Sequence, residues 1–201
     1  MPGEGAALRG LSCVKRLWGA FVLALLWTLL FAAARLFGLS ETLSGKGFSV
    51  IGNEFWRIGT APLLHAGLLH LSVNLVTLYF AADFLEKQIG QPALLFFSLG
   101  AGTLSSLLFA AVFPRSVGYL GGSFATFALM GLILAFQLCK KDVPRFRLGT
   151  WYGNWLAVTA IVGNFPILPF MGWDTPVLHA ISFLIGLGAG ALACLFQQKQ
   201  R

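Results

Sequence analysis

Five polar side chains stand out in this sequence because each lies in an otherwise apolar stretch. His65, His70 and Asn74 fall within HAGLLHLSVN, Ser123 follows two glycines in YLGGSFATFALMG, and His179 lies in VLHAISFLIG. Serine and histidine together perform nucleophilic acyl transfer, in which the imidazole accepts the hydroxyl proton. The five residues are candidates for one site if the fold brings them together.

The spacing of these residues suits that chemistry. His70 and Asn74 are four residues apart, so on a helix they project from one face and can direct two donors at one oxygen. Ser123 at a helix start offers its backbone N–H and a favourable dipole for the same developing negative charge. His179 on a different helix can accept the serine proton. Taken singly, each residue also has a structural interpretation, as a helix cap or an interhelical contact.

The elements that position these residues follow from composition. The chain of 201 residues is 57% hydrophobic and only 10% charged, with a mean hydropathy of +0.80. A chain of this composition has too few polar residues to cover the surface of a soluble globule, so the sequence predicts a polytopic membrane protein. The net charge of +7 does not indicate nucleic-acid binding, because the basic residues flank apolar runs instead of clustering on one soluble face.

Six apolar runs each have a length close to the roughly 20 residues that a helix needs to cross about 30 Å of hydrocarbon. Lipid offers no partner to backbone polar groups, so every run is expected to be helical and the fold to be all-α. The predicted spans are Trp18–Phe37, Ala66–Leu85, Pro92–Phe113, Gly121–Cys139, Trp151–Phe170 and Pro176–Phe196. Residues 1–17 are then an N-terminal cytoplasmic segment, residues 18–197 the six-helix membrane domain and residues 198–201 a cytoplasmic tail.

The lysines and arginines predict the orientation of the bundle. Most of them lie before the first span, after the second, between the fourth and fifth, or after the sixth, which all fall on one side: Arg9, Lys15, Arg16, Lys87, Lys140, Lys141, Arg145, Arg147, Lys199 and Arg201. By the positive-inside rule both termini are cytoplasmic. The first apolar segment lacks a clear cleavage site and is expected to remain as a helix. The second, fourth and sixth spans then start at the outer side, so all five polar candidates share one outer layer.

Small residues would let the fourth and sixth helices approach closely. Gly121, Gly122 and Gly131 lie on the fourth span and Gly186, Gly188 and Gly190 on the sixth, where Gly186 and Gly190 have the small-xxx-small spacing of tight membrane helix pairs. Such a pair would bring Ser123 and His179 together.

Taken together, these motifs resemble the rhomboid family of intramembrane serine proteases. The family pattern has a Trp-Arg pair in the first outer loop, H-x4-H-x3-N on the second helix, a glutamate further on, G-x-S at the head of the fourth helix and a histidine on the sixth. This chain has matching residues in the same order: Trp56, Arg57, His65, His70, Asn74, Glu86, Gly121, Gly122, Ser123 and His179. The resemblance implies a six-transmembrane-helix rhomboid-like bundle.

The resemblance also implies the role of each site residue. Ser123 corresponds to the nucleophile, His179 to the general base, and His70 with Asn74 to the side chains that stabilise the oxyanion. A Ser–His dyad is expected, because the matching motifs contain no carboxylate suited to be the third member of a triad. His65, Trp56, Arg57 and Glu86 are expected to be structural, with Arg57 stabilising the first outer loop. No cofactor and no metal are expected.

The substrate pocket is expected to include Gly121, Gly122, Phe124 and Phe127. Phe124 follows the nucleophile where the family usually has a small residue, and Phe127 stands where an aromatic, usually tyrosine, stacks on the base. We expect Phe124 to narrow the pocket beside the scissile bond, with altered specificity or a blocked site as the alternatives. Pro166 and Pro169 near the outer end of the fifth span are candidates for a movable gate.

The predicted function is cleavage of single-pass transmembrane proteins near their outer end, within a lipid bilayer that is expected to be a bacterial inner membrane. The main alternative is a noncatalytic rhomboid-like protein that binds membrane clients. A transporter would be expected to show internal repeats and midplane polar groups, which are not apparent. A metalloprotease would need an H-E-x-x-H motif, which the sequence lacks. Cys13, Cys139 and Cys194 map to cytoplasmic ends and are expected to stay reduced.

Overall fold

Helices make up most of the chain in the computed structural model, which describes residues 17–164 and 172–199. The helices are α1 (Trp18–Phe37), α2 (Ser40–Leu43), α3 (Trp56–Thr60), α4 (Leu68–Val112), α5 (Ser123–Cys139), α6 (Trp151–Val162) and α7 (Thr175–Lys199). A 3-10 turn, Ala61–Leu63, follows α3, and two short strands, β1 (Gly45–Lys46) and β2 (Val117–Tyr119), pair with each other. The predicted helical fold is therefore observed over the described residues.

Three helices in the described part of the chain are long and apolar enough to cross a membrane. These are Trp18–Phe37, Leu68–Val112 and, within α7, Thr175–Gln197, while α5 and α6 are apolar but shorter. The bounds of α1 confirm the predicted first span. Helix α6 ends at Val162, short of the predicted Phe170, and the gate candidates Pro166 and Pro169 lie outside the described residues.

The second and third predicted spans both fall almost entirely within α4, on the two sides of a bend. The first part of α4 extends past the predicted end at Leu85 to Ile89. The bend lies at Gly90, whose φ of 72° and ψ of 167° are not helical. Glycine tolerates this conformation, and Pro92 two residues later would leave one helical hydrogen bond unmade in any case.

Helix α5 occupies the centre of the molecule and packs most closely on α7. A Cβ at Gly131 would overlap the backbone carbonyl oxygen of Phe183, and a Cβ at Gly186 would overlap that of Ala128. The glycines therefore let the two backbones touch, as the small-residue spacing predicted. The contact sets Ser123 at the start of α5 against the first turns of α7.

The loop between α1 and α4 is organised around the buried guanidinium of Arg57, which is only 4% exposed. Arg57 donates hydrogen bonds to the backbone carbonyls of Glu41 and Ser44 and to the Glu54 carboxylate. The Glu54 carboxylate also pairs with Lys46 at 2.9 Å. The hydrogen bonds from Arg57 and Lys46 lower the pKa of Glu54 to about 2. Arg57 thus stabilises this loop as predicted.

A two-stranded antiparallel sheet, which the sequence did not predict, joins that loop to the segment before α5. Gly45 pairs with Tyr119 across the sheet, and the Gly121 N–H donates to the Ala61 carbonyl at 3.0 Å. The backbone that leads into Ser123 is therefore held at two points.

Candidate active site

Ser123 is the first residue of α5, and the two glycines before it shape the site. Gly121 has a φ of 152°, a conformation that side chains disfavour. A Cβ at Gly121 would lie 3.0 Å from His70 Cε1 and 3.2 Å from Ser123 Oγ. The His70 ring and the Ser123 hydroxyl therefore face each other across the space that the missing side chain leaves. Glycine is needed here for both backbone conformation and space.

The backbone around His70 decides which ring nitrogen carries the proton. His70 lies in the first turn of α4, and its Nδ1 accepts a hydrogen bond from the Ala66 backbone N–H at 3.3 Å. A neutral imidazole that accepts at Nδ1 carries its proton on Nε2. Nε2 is also the nitrogen near the empty Cβ position of Gly121, at 3.2 Å. His70 can thus present a donor beside the Ser123 hydroxyl.

Asn74 is oriented by hydrogen bonds at both ends of its amide. Its Nδ2 donates to the His70 carbonyl at 2.9 Å, and its Oδ1 accepts from the Thr126 hydroxyl at 3.1 Å. The second bond joins α4 to α5 one turn after Ser123. Because the amide nitrogen has two hydrogens, one remains for a ligand oxygen.

His179 lies on α7 and is 5% exposed, and the side chains of Phe127 and Asn164 contact its ring. The Phe127 ring stacks on the imidazole with a centroid distance of 3.9 Å and an angle of 7° between the planes. Asn164, just after α6, has its Oδ1 3.3 Å from His179 Nδ1. The aromatic ring of Phe127 was predicted from the sequence, but the contact with Asn164 was not. The available signal was a polar residue at the end of an apolar span.

One cavity of about 590 Å³ brings the predicted catalytic residues together. His70, Asn74, Ser123 and His179 all line it, although they come from α4, α5 and α7. Phe127 lines it as well, and much of the remaining wall is apolar. The cavity can accept a chain with hydrophobic side chains and place a carbonyl among polar groups.

His65 contacts the turn that precedes Ser123. Its Nε2 accepts from the Gly122 backbone N–H at 3.3 Å, and its ring meets those of Trp27 and His70 edge-on, each at 5.2 Å. A Cβ at Gly122 would collide with His65 and Trp27. His65 therefore supports the turn before Ser123, in line with the predicted structural role.

Phe124, which the sequence predicted in the substrate pocket, packs in the core of the protein. Phe124 is 0% exposed and packs in a buried cluster with Phe109, Tyr119 and Leu178. The described lining of the cavity does not include Phe124, nor Gly121 and Gly122. Successive residues on a helix point about 100° apart, so Phe124 turns into the core while Ser123 faces the cavity. Phe124 leaves the hydroxyl uncovered.

The fold and the cavity define a helical membrane protein with a serine–histidine site. A sequence model of the Rhomboid domain matches residues 52–199, a range that contains every candidate site residue. The chain belongs to the rhomboid family.

Relatives of this chain include proteins described as proteases and one described as inactive. "Putative rhomboid protease YdcA" of Bacillus subtilis is 31% identical over 163 residues, which are 80% of this chain and 77% of that protein. "Inactive RHOMBOID-like protein 8" of Arabidopsis thaliana is 37% identical over 97 residues, 47% of this chain and 27% of that protein. "Rhomboid protease GluP" of Bacillus subtilis is 29% identical over 115 residues, 55% of this chain and 22% of that protein. The chain thus covers about a quarter of the last two.

Proposed function

We propose that this protein is an intramembrane serine endopeptidase that cuts transmembrane segments near their outer end. The observation that carries the proposal is the single cavity lined by Ser123, His179, His70 and Asn74. Membership of a family with protease-named relatives supports it.

The reaction begins when Ser123 Oγ attacks a peptide carbonyl carbon. His179 accepts the hydroxyl proton and passes it to the leaving amine, and water then releases the acyl group from the serine. His70 Nε2–H, the free hydrogen of Asn74 and the Ser123 amide hold the negative charge on the carbonyl oxygen. In the described part of the chain Ser123 and His179 are not hydrogen-bonded to each other. Such catalytic contacts commonly tighten only when substrate binds.

The proposed topology has six crossings and cytoplasmic termini, in a bacterial inner membrane. The bend at Gly90 supports this count, because it divides α4 into two crossing segments beside α1, α5, α6 and α7. Residues 18–197 form the membrane domain, with residues 1–17 and 198–201 in the cytoplasm. The cavity then opens toward the outer side, where water can reach Ser123. Single-pass membrane proteins are the proposed substrates.

A noncatalytic role in binding membrane clients is the second candidate. The similarity to a plant protein described as inactive favours it. Against it, Ser123 and His179 are both present, and Phe124 packs away from the cavity.

Labelling with a fluorophosphonate distinguishes the two candidates. This reagent reacts with an activated serine and needs no known substrate. We expect the purified native protein to form a covalent adduct at Ser123 and the heat-denatured protein to form none. A folded protein that stays unlabelled would favour the noncatalytic role.

The oxyanion donors give a graded prediction. Asn74→Ala removes one donor that acts mainly on the developing charge, so turnover is expected to fall by about 10²–10³-fold while the apparent affinity for substrate stays nearly constant. Steady-state kinetics on a reconstituted transmembrane substrate measures both. Thr126→Val, which removes the hydroxyl that donates to Asn74 Oδ1 and to the Ser123 carbonyl, should have a smaller effect. A change in affinity alone would reassign Asn74 to helix packing.

A further inference from the structure

The contact between Asn164 and His179 joins the end of α6 to α7. Asn164 is the second residue after α6, and its Oδ1 lies 3.3 Å from His179 Nδ1. The two residues are 15 positions apart in sequence, so the contact depends on the fold. It lies next to the cavity, which His179 and Gly163 both line.

The orientation of the Asn164 amide is determined by its other end. Asn164 Nδ2 is 2.5 Å from the Ala160 carbonyl oxygen, to which it donates. Turning the amide over would place Oδ1 against that carbonyl, and two acceptors repel each other. Oδ1 therefore faces the imidazole as an acceptor.

This orientation selects one tautomer of His179. A nitrogen that faces an acceptor must carry the proton, so Nδ1 is the donor and Nε2 has the lone pair. The stacked Phe127 ring fixes the plane of the imidazole, and the Asn164 bond fixes its rotation within that plane. A general base needs a free lone pair on the nitrogen that meets the nucleophile.

We propose that Asn164 is a positioning residue, which holds His179 in the Nδ1–H tautomer with Nε2 free to accept the Ser123 proton. This inference rests on the function proposed above. Asn164 takes the orienting place that a carboxylate occupies in soluble Ser–His–Asp sites. Its oxygen also accepts from Nδ1–H after His179 has gained the proton.

The first test compares the rate of fluorophosphonate labelling among variants. Asn164→Leu removes the acceptor at similar size and is expected to slow labelling about 10-fold or more, a part of the roughly 10²–10⁴-fold that positioned proton transfer contributes. Asn164→Asp keeps an acceptor for His179 Nδ1–H but loses the donor to the Ala160 carbonyl, so it should recover part of the rate. Asn154→Leu is the matched control, since Asn154 lies on α6 and its side chain bonds only the Gly149 N–H among the described contacts. We expect it to label at the wild-type rate.

The second test reads the tautomer without any reaction. The chain has three histidines, so NMR with isotope-labelled histidine resolves them, and the signal lost in His179→Ala identifies His179. Wild type should show Nδ1–H, and Asn164→Leu should show a mixture of tautomers. An Nε2–H tautomer in wild type would overturn the inference even if Asn164→Leu fails to fold.

The outcomes separate this inference from the proposed function. If wild type is labelled and Asn164→Leu shows the same labelling rate and the same His179 tautomer, the role of Asn164 is refuted and the protease assignment stays in place. An unlabelled wild type whose His179 still shows Nδ1–H refutes the protease assignment while retaining the contact. Slower labelling that Asn164→Asp partly restores, at equal thermal stability, supports both.

Discussion

Replacing Ser123 with alanine is expected to abolish cleavage of a transmembrane substrate. The variant lacks the only atom that can attack the peptide carbonyl in the proposed mechanism, and loss of a serine nucleophile costs about 10⁶-fold in turnover in a soluble protease. The fold should remain intact. The described contact of Ser123 with Thr126 uses the backbone carbonyl, which alanine retains.

Purified wild type and variant, each reconstituted with a single-pass substrate, provide the measurement. Ser98→Ala is a matched control, because Ser98 is equally buried and bonds only the Leu94 carbonyl of its own helix among the described contacts. We expect full activity in that control. Cleavage by Ser123→Ala above background would show that another residue is the nucleophile.

Replacing Gly186 with valine is expected to remove activity by a different route, through the packing of α5 on α7. A Cβ at Gly186 would overlap the Ala128 carbonyl oxygen and press on the Leu132 backbone. These are backbone atoms of a helix and cannot rotate away as a side chain can. The loss in the free energy of unfolding should therefore exceed the value of about 1–3 kcal/mol that is typical of overpacked cores. Separation of the helices would also move His179 away from Ser123.

Gly188 offers a control on the same helix, since a Cβ there meets no atom within 4 Å. Gly188→Val should therefore unfold near the wild-type temperature in detergent and keep its fluorophosphonate labelling. Gly186→Val should unfold at a clearly lower temperature and lose labelling. Equal thermal stability of the two variants would contradict the close backbone contact.

The candidate site was largely predictable because its residues are chemically conspicuous. Histidine, asparagine and serine are costly in an apolar helix, so His70, Asn74, Ser123 and His179 could be selected from one sequence. Spacing placed His70 and Asn74 on one face, and α1 was bounded correctly because hydropathy is a local property. Local turn chemistry was harder to predict. The bend at Gly90 lies between the second and third predicted spans, where no helix was predicted. The β1–β2 pair joins segments about 70 residues apart.

The class of protein, the apolar helices and the candidate reactive side chains could all be predicted from the amino-acid sequence, because hydropathy, charge and side-chain chemistry belong to individual residues and their near neighbours. The tertiary structure alone decided two features of the site. Phe124 faces the core beside Phe109 and Tyr119, because helix geometry turns it away from Ser123 and a hydrophobic cluster is there to receive it. Asn164 meets His179, because the packing of α6 and α7 sets two distant residues within hydrogen-bonding distance, and no local pattern encodes that distance.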